Sequence, residues 1–366
     1  MTLAGLRLTV FTDAHEVGGA EISLGNLLAA LDPGIDVRVM GTHPEVIDRV
    51  AAARSNTATI CTPDVRGLRD VAAILATRRA IAADRPDILH ASLSAPWACR
   101  YALLAAATVP GVRTVAVEQL VLPMPTARVR FLKRVTSRRL AAHVAVGTAS
   151  ARAVEHDTGL RPGSVRTIHN GVPDRTVPAP TPGSPHPSIV TLARLDAVKG
   201  LDVLVRAVAS IPGLHATVVG RGPERAWLER EAVALGVADR FVLAGWREDP
   251  MAALADADLF VLPSRAEGLP LSIAEAMLAR RAVVATDVGS VREIVEHEVT
   301  GLLVAPDDAA GLAAAIRRLL DDPARRSAIV DRARTRAAET FTAAAMARRY
   351  EALYTEVLDP TRPVGR

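Results

Sequence analysis

Aromatic side chains are scarce in this chain: phenylalanine, tryptophan and tyrosine together make up 3% of its 366 residues. Proteins that bind single-stranded nucleic acid stack bases on aromatic rings, so this scarcity argues against that class. Cysteine is equally rare, and Cys61 and Cys99 alone cannot build a disulfide framework or a four-thiolate zinc site. We therefore expect a reducing compartment, the cytoplasm.

Long apolar runs are also missing. None approaches the roughly 20 residues that a membrane-spanning helix needs, and residues 1–7 lack the basic start and cleavage site of a signal peptide. A soluble protein, or one that contacts a membrane only at its surface, is expected. The formal net charge is only +4, an excess that favours anionic partners without identifying one.

Apolar residues are plentiful, at 49% of the chain, which is enough for a sizeable core. Short β-branched runs alternate with longer stretches at helical period, a pattern typical of right-handed βαβ units and parallel sheets covered on both faces. The predicted strands are residues 6–11, 37–40, 88–90, 112–117 and 143–146, then 188–192, 216–220, 241–243, 259–262, 282–286 and 302–304.

A proline-rich segment interrupts the alternation. Residues 177–187 hold five prolines, and so dense a run forms neither a helix nor a central strand. The sequence therefore predicts two doubly wound α/β halves, 1–176 and 188–340, joined by this linker. In such an arrangement the ligand site is expected in the cleft between the halves.

Two strand-end segments carry residues that suit an anionic ligand. Gly18 and Gly19 follow the first strand and open a helix, where the backbone can approach a ligand and free N–H groups attract an anion. Without the spacing of a dinucleotide fingerprint, the pair is equally typical of a plain tight turn. Arg194 and Lys199 follow the first strand of the second half, where two cations can stabilise a leaving diphosphate. Two solvated surface charges are the alternative there.

The segment 264–277 is the most informative. After the strand at 259–262 comes a Gly-Leu-Pro turn, and a helix begins near Leu271. Glu267 precedes the helix and Glu275 lies about one turn inside it. A helix N-terminus offers N–H groups to hydroxyls or phosphate, while carboxylates accept protons from sugar hydroxyls. Because Glu275 shares a stripe with buried-type residues, its carboxylate requires a partner.

With these motifs the sequence resembles the retaining glycosyltransferases of the GT-B fold, specifically glycosyltransferase family 4, over nearly its whole length. Glu267 and Glu275 match the family's E-x7-E signature, which is the most specific feature. The other matching segments are 18–21, 86–90, 169–172, Arg194 with Lys199, 219–223, 288–294 and 300–304.

The resemblance implies a nucleoside-diphosphate sugar as donor, with a UDP-sugar as first choice, and transfer with retention to a hydroxyl of a lipid-linked, metabolite or glycan acceptor. The second half would bind the donor, and a final helix at 341–358 would complete the first half. Arg194, Lys199 and Glu267 would be catalytic. The donor-binding residues would be Gly18, Gly19, Gly220, Gly222, Gly268, Leu269, Leu271 and Glu275, with Glu275 on the ribose hydroxyls.

The acceptor side departs from the family pattern. Glu118-Gln119 stands where many members have a histidine, so Glu118 becomes an acceptor-side candidate together with His15. No cofactor and no metal are expected. The D-x-D pattern at Asp256 and Asp258 runs into a buried-type strand rather than opening on a cleft, and the histidines show no metal-binding spacing.

The stretch 128–139 has six basic and no acidic residues. At helical spacing one face carries Phe131, Leu132 and Val135, and another carries Arg130, Arg134 and Arg138. Such a helix either docks by its apolar face or lies on an anionic membrane surface.

Two other functions use the same scaffold, because a fold alone does not determine activity. One is a nucleotide-sugar epimerase or a phosphorylase, and the other is a non-catalytic subunit that binds a sugar nucleotide. An epimerase turns over nucleotide sugar without an acceptor, and a binding subunit shows no turnover at all. No nucleic-acid partner is expected.

Overall fold

The structure, a computed structural model, describes residues 3–120, 122, 124, 126–175, 186–247, 249 and 251–359. Strands and helices alternate along these residues. The strands are β1 (Arg7–Thr12), β2 (Asp36–Gly41), β3 (Ala58–Cys61), β4 (Ile88–Leu93), β5 (Arg113–Glu118), β6 (Ala142–Ala145), β7 (Val165–Thr167), β8 (Ser188–Leu192), β9 (His215–Val219), β10 (Phe241–Gly245), β11 (Leu259–Leu262), β12 (Ala282–Thr286) and β13 (Leu302–Val304).

The helices cover both faces of the sheets. They are α1 (Gly19–Ala30), α2 (Pro44–Ala51), α3 (Val71–Asp84), α4 (Arg100–Ala106), α5 (Ala127–Ser137), α6 (Thr148–Thr158), α7 (Leu201–Ala209), α8 (Arg225–Ala234), α9 (Met251–Ala255), α10 (Leu271–Leu278), α11 (Val291–Ile294), α12 (Ala309–Asp321), α13 (Pro323–Thr340) and α14 (Ala343–Leu358). A short 3-10 turn, Ala197–Lys199, precedes α7. Within the described residues, no helix is both long and apolar enough to span a bilayer.

The chain forms two units, one comprising Met1–Val172 with Ala343–Arg366 and the other Pro173–Thr342. In unit 1 seven parallel strands lie in the order β3-β2-β1-β4-β5-β6-β7. Helix α14 belongs to this unit, where the Ala343 N–H donates to the carbonyl of Val172 at 2.8 Å. Its Tyr354 hydroxyl lies 2.7 Å from Nδ1 of the fully buried His90.

Unit 2 is a second parallel sheet, in the order β10-β9-β8-β11-β12-β13. In both sheets the strand order reverses beside the first strand, between β1 and β4 in unit 1 and between β8 and β11 in unit 2. Ligands of doubly wound folds bind at the carboxyl ends of the strands near such a reversal. The two Rossmann-like units confirm the predicted doubly wound α/β fold class.

The alternating pattern predicted most strands within two residues and left two strands unpredicted. β3 and β7 lie at the two edges of the first sheet. β3 is largely exposed and β7 has only three residues, so neither carries the buried apolar run that marks a central strand. The predicted linker 177–187 lies, apart from residues 186 and 187, outside the described residues.

Candidate active site

Two glycines bring the strand-end turns after β8 and β9 together. The N–H of Leu195 donates to the carbonyl of Arg221 at 3.0 Å. A Cβ on Gly220 would lie 1.8 Å from the carbonyl oxygen of Ala193, and one on Gly222 would lie 2.3 Å from that of Leu195. Only glycine permits this backbone contact. Both glycines therefore shape the turn that carries Arg194, and their predicted contact with a donor stays a prediction.

Lys199 and Glu267 meet at the reversal between β8 and β11. Lys199 Nζ lies 2.7 Å from Glu267 Oε1, and the buried Ser264 hydroxyl donates to the same oxygen at 2.6 Å. Gly200, with φ of +61°, lets the turn after β8 pass so close to Pro263 that a Cβ would lie 2.1 Å from its carbonyl oxygen. The structure thus joins two residues that the sequence placed in separate motifs.

Arg194 has a different environment. Its side chain is 73% exposed and its guanidinium lies 2.5 Å from the Asp196 carboxylate. An exposed pair of this kind contributes little to stability, so Arg194 can exchange Asp196 for another anion at small cost. This behaviour suits a residue that contacts a charged ligand.

A third strand-end turn, after β12, packs against the backbone of Glu267 and Gly268. Gly289 has φ of +55°, and a Cβ there would lie 1.9 Å from the Glu267 carbonyl oxygen. The Ser290 N–H donates to the carbonyl of Gly268 at 3.2 Å. The sequence placed Gly289 in a matching segment without giving it a role. Its lack of a side chain is what allows Glu267 and Gly268 to occupy their positions.

Glu275 lies one turn inside α10 and is half-buried. Burial raises the pKa of its carboxyl to about 7, although the charge of Arg175 opposes the shift and that of Asp249 adds to it. Arg175 and Asp249 pair with each other at 3.4 Å, and neither was singled out from the sequence. Within the described residues the Glu275 carboxyl makes no hydrogen bond. The partner expected from the sequence is therefore not found in this part of the protein.

The glycine loop of unit 1 is organised by a buried glutamate. Gly18 is the N-cap of α1, and its N–H donates to Glu21 Oε2 at 3.1 Å while the Thr12 hydroxyl donates to Oε1 at 3.1 Å. Burial raises the pKa of Glu21 despite these bonds. Gly19 is exposed with open space around its Cβ position. The loop is therefore a rigid helix start, whose predicted contact with the donor stays a prediction.

The two acceptor-side candidates differ sharply in exposure. His15 is exposed, and its ring centroid lies 4.3 Å from that of His43. Glu118 is completely buried at the end of β5, where it contacts Lys133 of α5 and lies 2.7 Å from Nε2 of His143. In this conformation Glu118 has no surface to offer to an acceptor. The residue after it, Gln119, is half-buried.

The inward face of α5 matches the predicted apolar face only in part. Leu132 and Val135 are half-buried, but Phe131 is 68% exposed, whereas Lys133, Thr136 and Ser137 are buried. The pairing of Lys133 with Glu118 turns this polar stripe towards the sheet. Phe131 consequently lies among the arginines on the outer surface.

The remaining candidates have structural partners. Asp258 accepts hydrogen bonds from the backbone and the side chain of Ser188, at 2.9 and 3.2 Å, where β8 and β11 begin. This is the opposite edge of the sheet from Lys199. Within the described ranges no group of three or more His, Cys, Asp or Glu side chains is arranged to hold a metal ion. Trp246, which belongs to none of the predicted motifs, is 59% exposed just after β10.

Two family models match the chain. That of Glycosyltransferase Family 4 matches residues 17–175, and that of Glycosyl transferases group 1 matches residues 186–322. The chain belongs to glycosyltransferase family 4. The resemblance found in the sequence is thereby confirmed, with one model in each unit of this family 4 chain.

Curated relatives match over shorter stretches. The family 4 chain is 29% identical over 177 residues to alpha-D-kanosaminyltransferase of Streptomyces kanamyceticus, which is 47% of this chain and 46% of that protein. It is 31% identical over 214 residues to 2-deoxystreptamine glucosyltransferase of the same organism, covering 54% and 55% of the two chains. The chain thus spans about half the length of the curated relatives it matches.

Solved structures match over nearly the whole chain. Anabaena Alr3699/HepE in complex with UDP superposes with a TM-score of 0.83 at 20% identity, over 96% of this chain and 100% of that one. A glycosyltransferase from Rickettsia africae ESF-5 gives 0.84 at 18% identity, over 97% and 99%. At such identities the likeness establishes the fold of the family 4 chain, which is GT-B.

Proposed function

We propose that this chain transfers a sugar from a nucleoside-diphosphate sugar to a hydroxyl acceptor, with retention at the anomeric carbon and a UDP-sugar as first choice of donor. The observation that carries the proposal is the 2.7 Å contact of Lys199 with Glu267 at the strand reversal of unit 2. A half-buried cation held there by a carboxylate is preorganised for the charge that develops on a departing diphosphate.

Each candidate site residue of unit 2 has a role in this proposal. Lys199 and Arg194 stabilise the diphosphate, because a fixed cation and an exposed one can together bind two phosphoryl groups. Glu267 and Ser264 hold Lys199 in place, and Glu267 faces the sugar. Glu275 takes the ribose hydroxyls, which supply the hydrogen bonds that its carboxyl lacks among the described residues.

The choice of UDP has limited support. Among structures of the same fold, Alr3699/HepE is described in complex with UDP and with UDP-glucose. We carry UDP over to this chain as a proposal, and with it a metal-independent mechanism, since Lys199 and Arg194 supply two positive charges where a metal ion would otherwise act.

We also propose that α5 contacts an anionic membrane surface. Phe131 is exposed among Arg128, Arg130, Arg134 and Arg138, and an exposed aromatic ring within a basic helix is typical of surface-bound helices. Membrane contact through α5 would bring the enzyme to a lipid-linked acceptor. Metabolite or glycan acceptors would not require this contact.

The test of the main proposal is turnover of UDP-glucose, UDP-N-acetylglucosamine and GDP-mannose in EDTA, with and without the acceptors 2-deoxystreptamine, maltotriose and a polyprenyl phosphate sugar. Glycosylated product with an unchanged anomer supports it. Acceptor-free isomerisation supports an epimerase, phosphate-dependent cleavage supports a phosphorylase, and nucleotide binding without any turnover supports a binding subunit. Activity that EDTA abolishes and Mg²⁺ restores contradicts metal independence.

Lys199→Ala is expected to lower kcat by about 100-fold or more, which is typical of losing one preorganised electrostatic donor. The matched control is Arg225→Ala, because Arg225 is an exposed cation of the same unit, paired with Glu229 on the surface of α8. Steady-state kinetics of both variants decide the point. Wild-type kcat and kcat/KM in Lys199→Ala would remove this residue from the mechanism.

A further inference from the structure

The chain uses lysine only twice. Of its 44 lysine and arginine residues, all but Lys133 and Lys199 are arginines. Both lysines contact a glutamate at the carboxyl end of a strand: Lys199 contacts Glu267 in unit 2, and Lys133 contacts Glu118 in unit 1. An ammonium is a compact point charge on a flexible four-carbon stem. The parallel directs attention to the second pair.

The pair in unit 1 is enclosed more tightly than its counterpart. The side chain of Lys133 is 6% exposed, and Glu118 is fully buried. Burial opposes ionisation of Glu118, but the charge of Lys133 and the hydrogen bond from His143 hold the pKa of this carboxyl below its usual value. Burial lowers the pKa of His143, so a neutral imidazole donates through Nε2.

Burying the Lys133–Glu118 pair costs desolvation free energy, so it is an unfavourable way to attach α5 to the sheet. Glu118 Oε2 and His143 Nδ1 are buried, and within the described residues neither has a hydrogen-bond partner. Replacing a buried ion pair by apolar side chains of similar volume is often neutral or stabilising, whereas removing one partner leaves an uncompensated charge. Folding stability alone therefore does not explain why Glu118 and Lys133 are present. A need to hold neighbouring residues in a fixed position does explain it.

The residue that the pair positions is Gln119, which directly follows β5. The Gln119 N–H donates to the Leu93 carbonyl at 3.0 Å, and its side-chain Oε1 accepts from Asn170 Nδ2 at 2.8 Å. The segment after Asn170 is itself tied to α1, because Asn26 Nδ2 donates to the Gly171 carbonyl at 3.1 Å. The Gln119 amide NH₂ group, in contrast, has no partner among the described residues.

We propose that Glu118 and Lys133 are positioning residues that hold Gln119 in place, and that the Gln119 amide, rather than the Glu118 carboxylate, donates a hydrogen bond to an oxygen of the acceptor. The proposal rests on the proposed function for its second half only. Gln119 directly follows β5, which pairs with β4, one of the two strands at the reversal in unit 1. Its side chain is half-buried and offers two N–H donors.

Position is tested without any substrate, because Gln119 is the chain's only glutamine. Protein labelled with ¹⁵N-glutamine gives one side-chain amide signal, which we expect to be dispersed and protected in the wild type. In Glu118→Leu/Lys133→Met it moves to the position of a free glutamine amide while the Tm stays within a few degrees of wild type or rises. Lys133→Met alone lowers the Tm by about 10 °C. Arg130→Met, an exposed position on the same helix, changes neither.

Contact is tested with UDP-glucose and 2-deoxystreptamine as the probe pair, together with hydrolysis of UDP-glucose by water. Gln119→Ala is expected to raise the acceptor KM about tenfold, and the apolar double variant is expected to raise it by a similar factor. Arg130→Met, at an exposed position, is expected to keep the wild-type acceptor KM and the wild-type rate of hydrolysis. An unmoved amide signal in the double variant overturns the positioning role. A wild-type acceptor KM in Gln119→Ala overturns the contact. Absence of turnover in the wild type is a failure of the proposed function, and the amide signal still decides the positioning role.

Discussion

At the scale of single residues, Glu275 is a half-buried carboxyl that makes no hydrogen bond within the described residues. Its pKa of about 7 results first from burial, with Asp249 adding to the shift and Arg175 opposing it. The sequence predicted that this carboxylate needs a partner. Among the described residues it interacts with the charge of Arg175 but makes no hydrogen bond. Such a carboxyl would break no hydrogen bond within the described residues before binding ribose hydroxyls, whereas a carboxyl already bonded within the protein would lose that bond's free energy.

The raised pKa of Glu275 has a consequence for stability. Between pH 4.5 and about 7 the folded protein binds this proton more tightly than the unfolded chain, so stability falls as the pH rises through that range. We expect a loss of about 2 kcal/mol, allowing for partial contact with solvent. Glu275→Gln removes this loss, which is seen as a flatter Tm between pH 5 and 8.

The exposed Glu339→Gln on α13 is the control for the general effect of removing a carboxylate. It is expected to keep the wild-type pH dependence. If Glu275→Gln also keeps it, Glu275 titrates in its ordinary range and the burial argument fails.

At the scale of elements, the turns that follow the strands depend on glycines whose role no single sequence reveals. Gly289 shows why: the sequence marks a turn there, but the 1.9 Å approach of its Cβ position to Glu267 exists only once β11 and β12 are paired. Long-range backbone contacts of this kind leave no local pattern. By contrast, strands β8, β11, β12 and β13 were predicted to the residue, because their buried runs are local.

Gly289→Ala is expected to be more harmful than a left-handed glycine elsewhere. Gly236 is the matched control, since it has φ of +68° and open space at its Cβ position. Gly236→Ala carries only backbone strain of about 1 kcal/mol, whereas Gly289→Ala must also displace Glu267 or itself, adding about 1–3 kcal/mol. Thermal unfolding and kcat measure both; equal losses in the two variants would show that the contact with Glu267 does not matter.

Helix α5 illustrates the opposite error, in which a clear local pattern was misread. The apolar stripe of Phe131, Leu132 and Val135 predicted the buried face, and Leu132 and Val135 are half-buried. A fully inward side chain is instead that of Lys133, which pairs with Glu118, and Phe131 is exposed. Helical periodicity treats lysine as a solvent-facing residue, so it cannot anticipate a lysine that points inwards. The exposure of Phe131 follows from this orientation.

Phe131→Ala is expected to weaken binding to vesicles of phosphatidylglycerol and phosphatidylcholine at least threefold, because an exposed ring contributes by insertion and the arginines by charge. Trp227→Ala on α8 is the control, an exposed aromatic residue of the other unit. Sedimentation with vesicles at low and high salt measures both variants. Wild-type binding by Phe131→Ala, or binding that high salt does not reduce, would contradict a surface role for α5.

At the scale of the whole molecule, each unit has its own sheet, its own strand reversal and its own lysine–glutamate pair. The sequence predicted both sheets because the βαβ alternation repeats on either side of the proline-rich segment. Lys199, Glu267 and Glu275 are predicted site residues through their matches to family segments, and their roles stay predictions. The sequence could not anticipate that Lys199 and Glu267 touch, since the contact joins residues 68 positions apart through the pairing of β8 with β11.

If unit 2 alone carries the nucleotide site, UDP should stabilise this unit and leave unit 1 unchanged. A ligand that binds only the folded state at about 100 times its Kd adds about 2.7 kcal/mol. Hydrogen exchange with UDP is therefore expected to slow around residues 193–200, 264–275 and 288–291, with unchanged rates in α3 and α4. The Lys199→Ala variant tests specificity, because it keeps both sheets but loses the cation, and should require more UDP for the same protection. If UDP protects only unit 1, the nucleotide binds the other sheet and our assignment of its site to unit 2 is wrong.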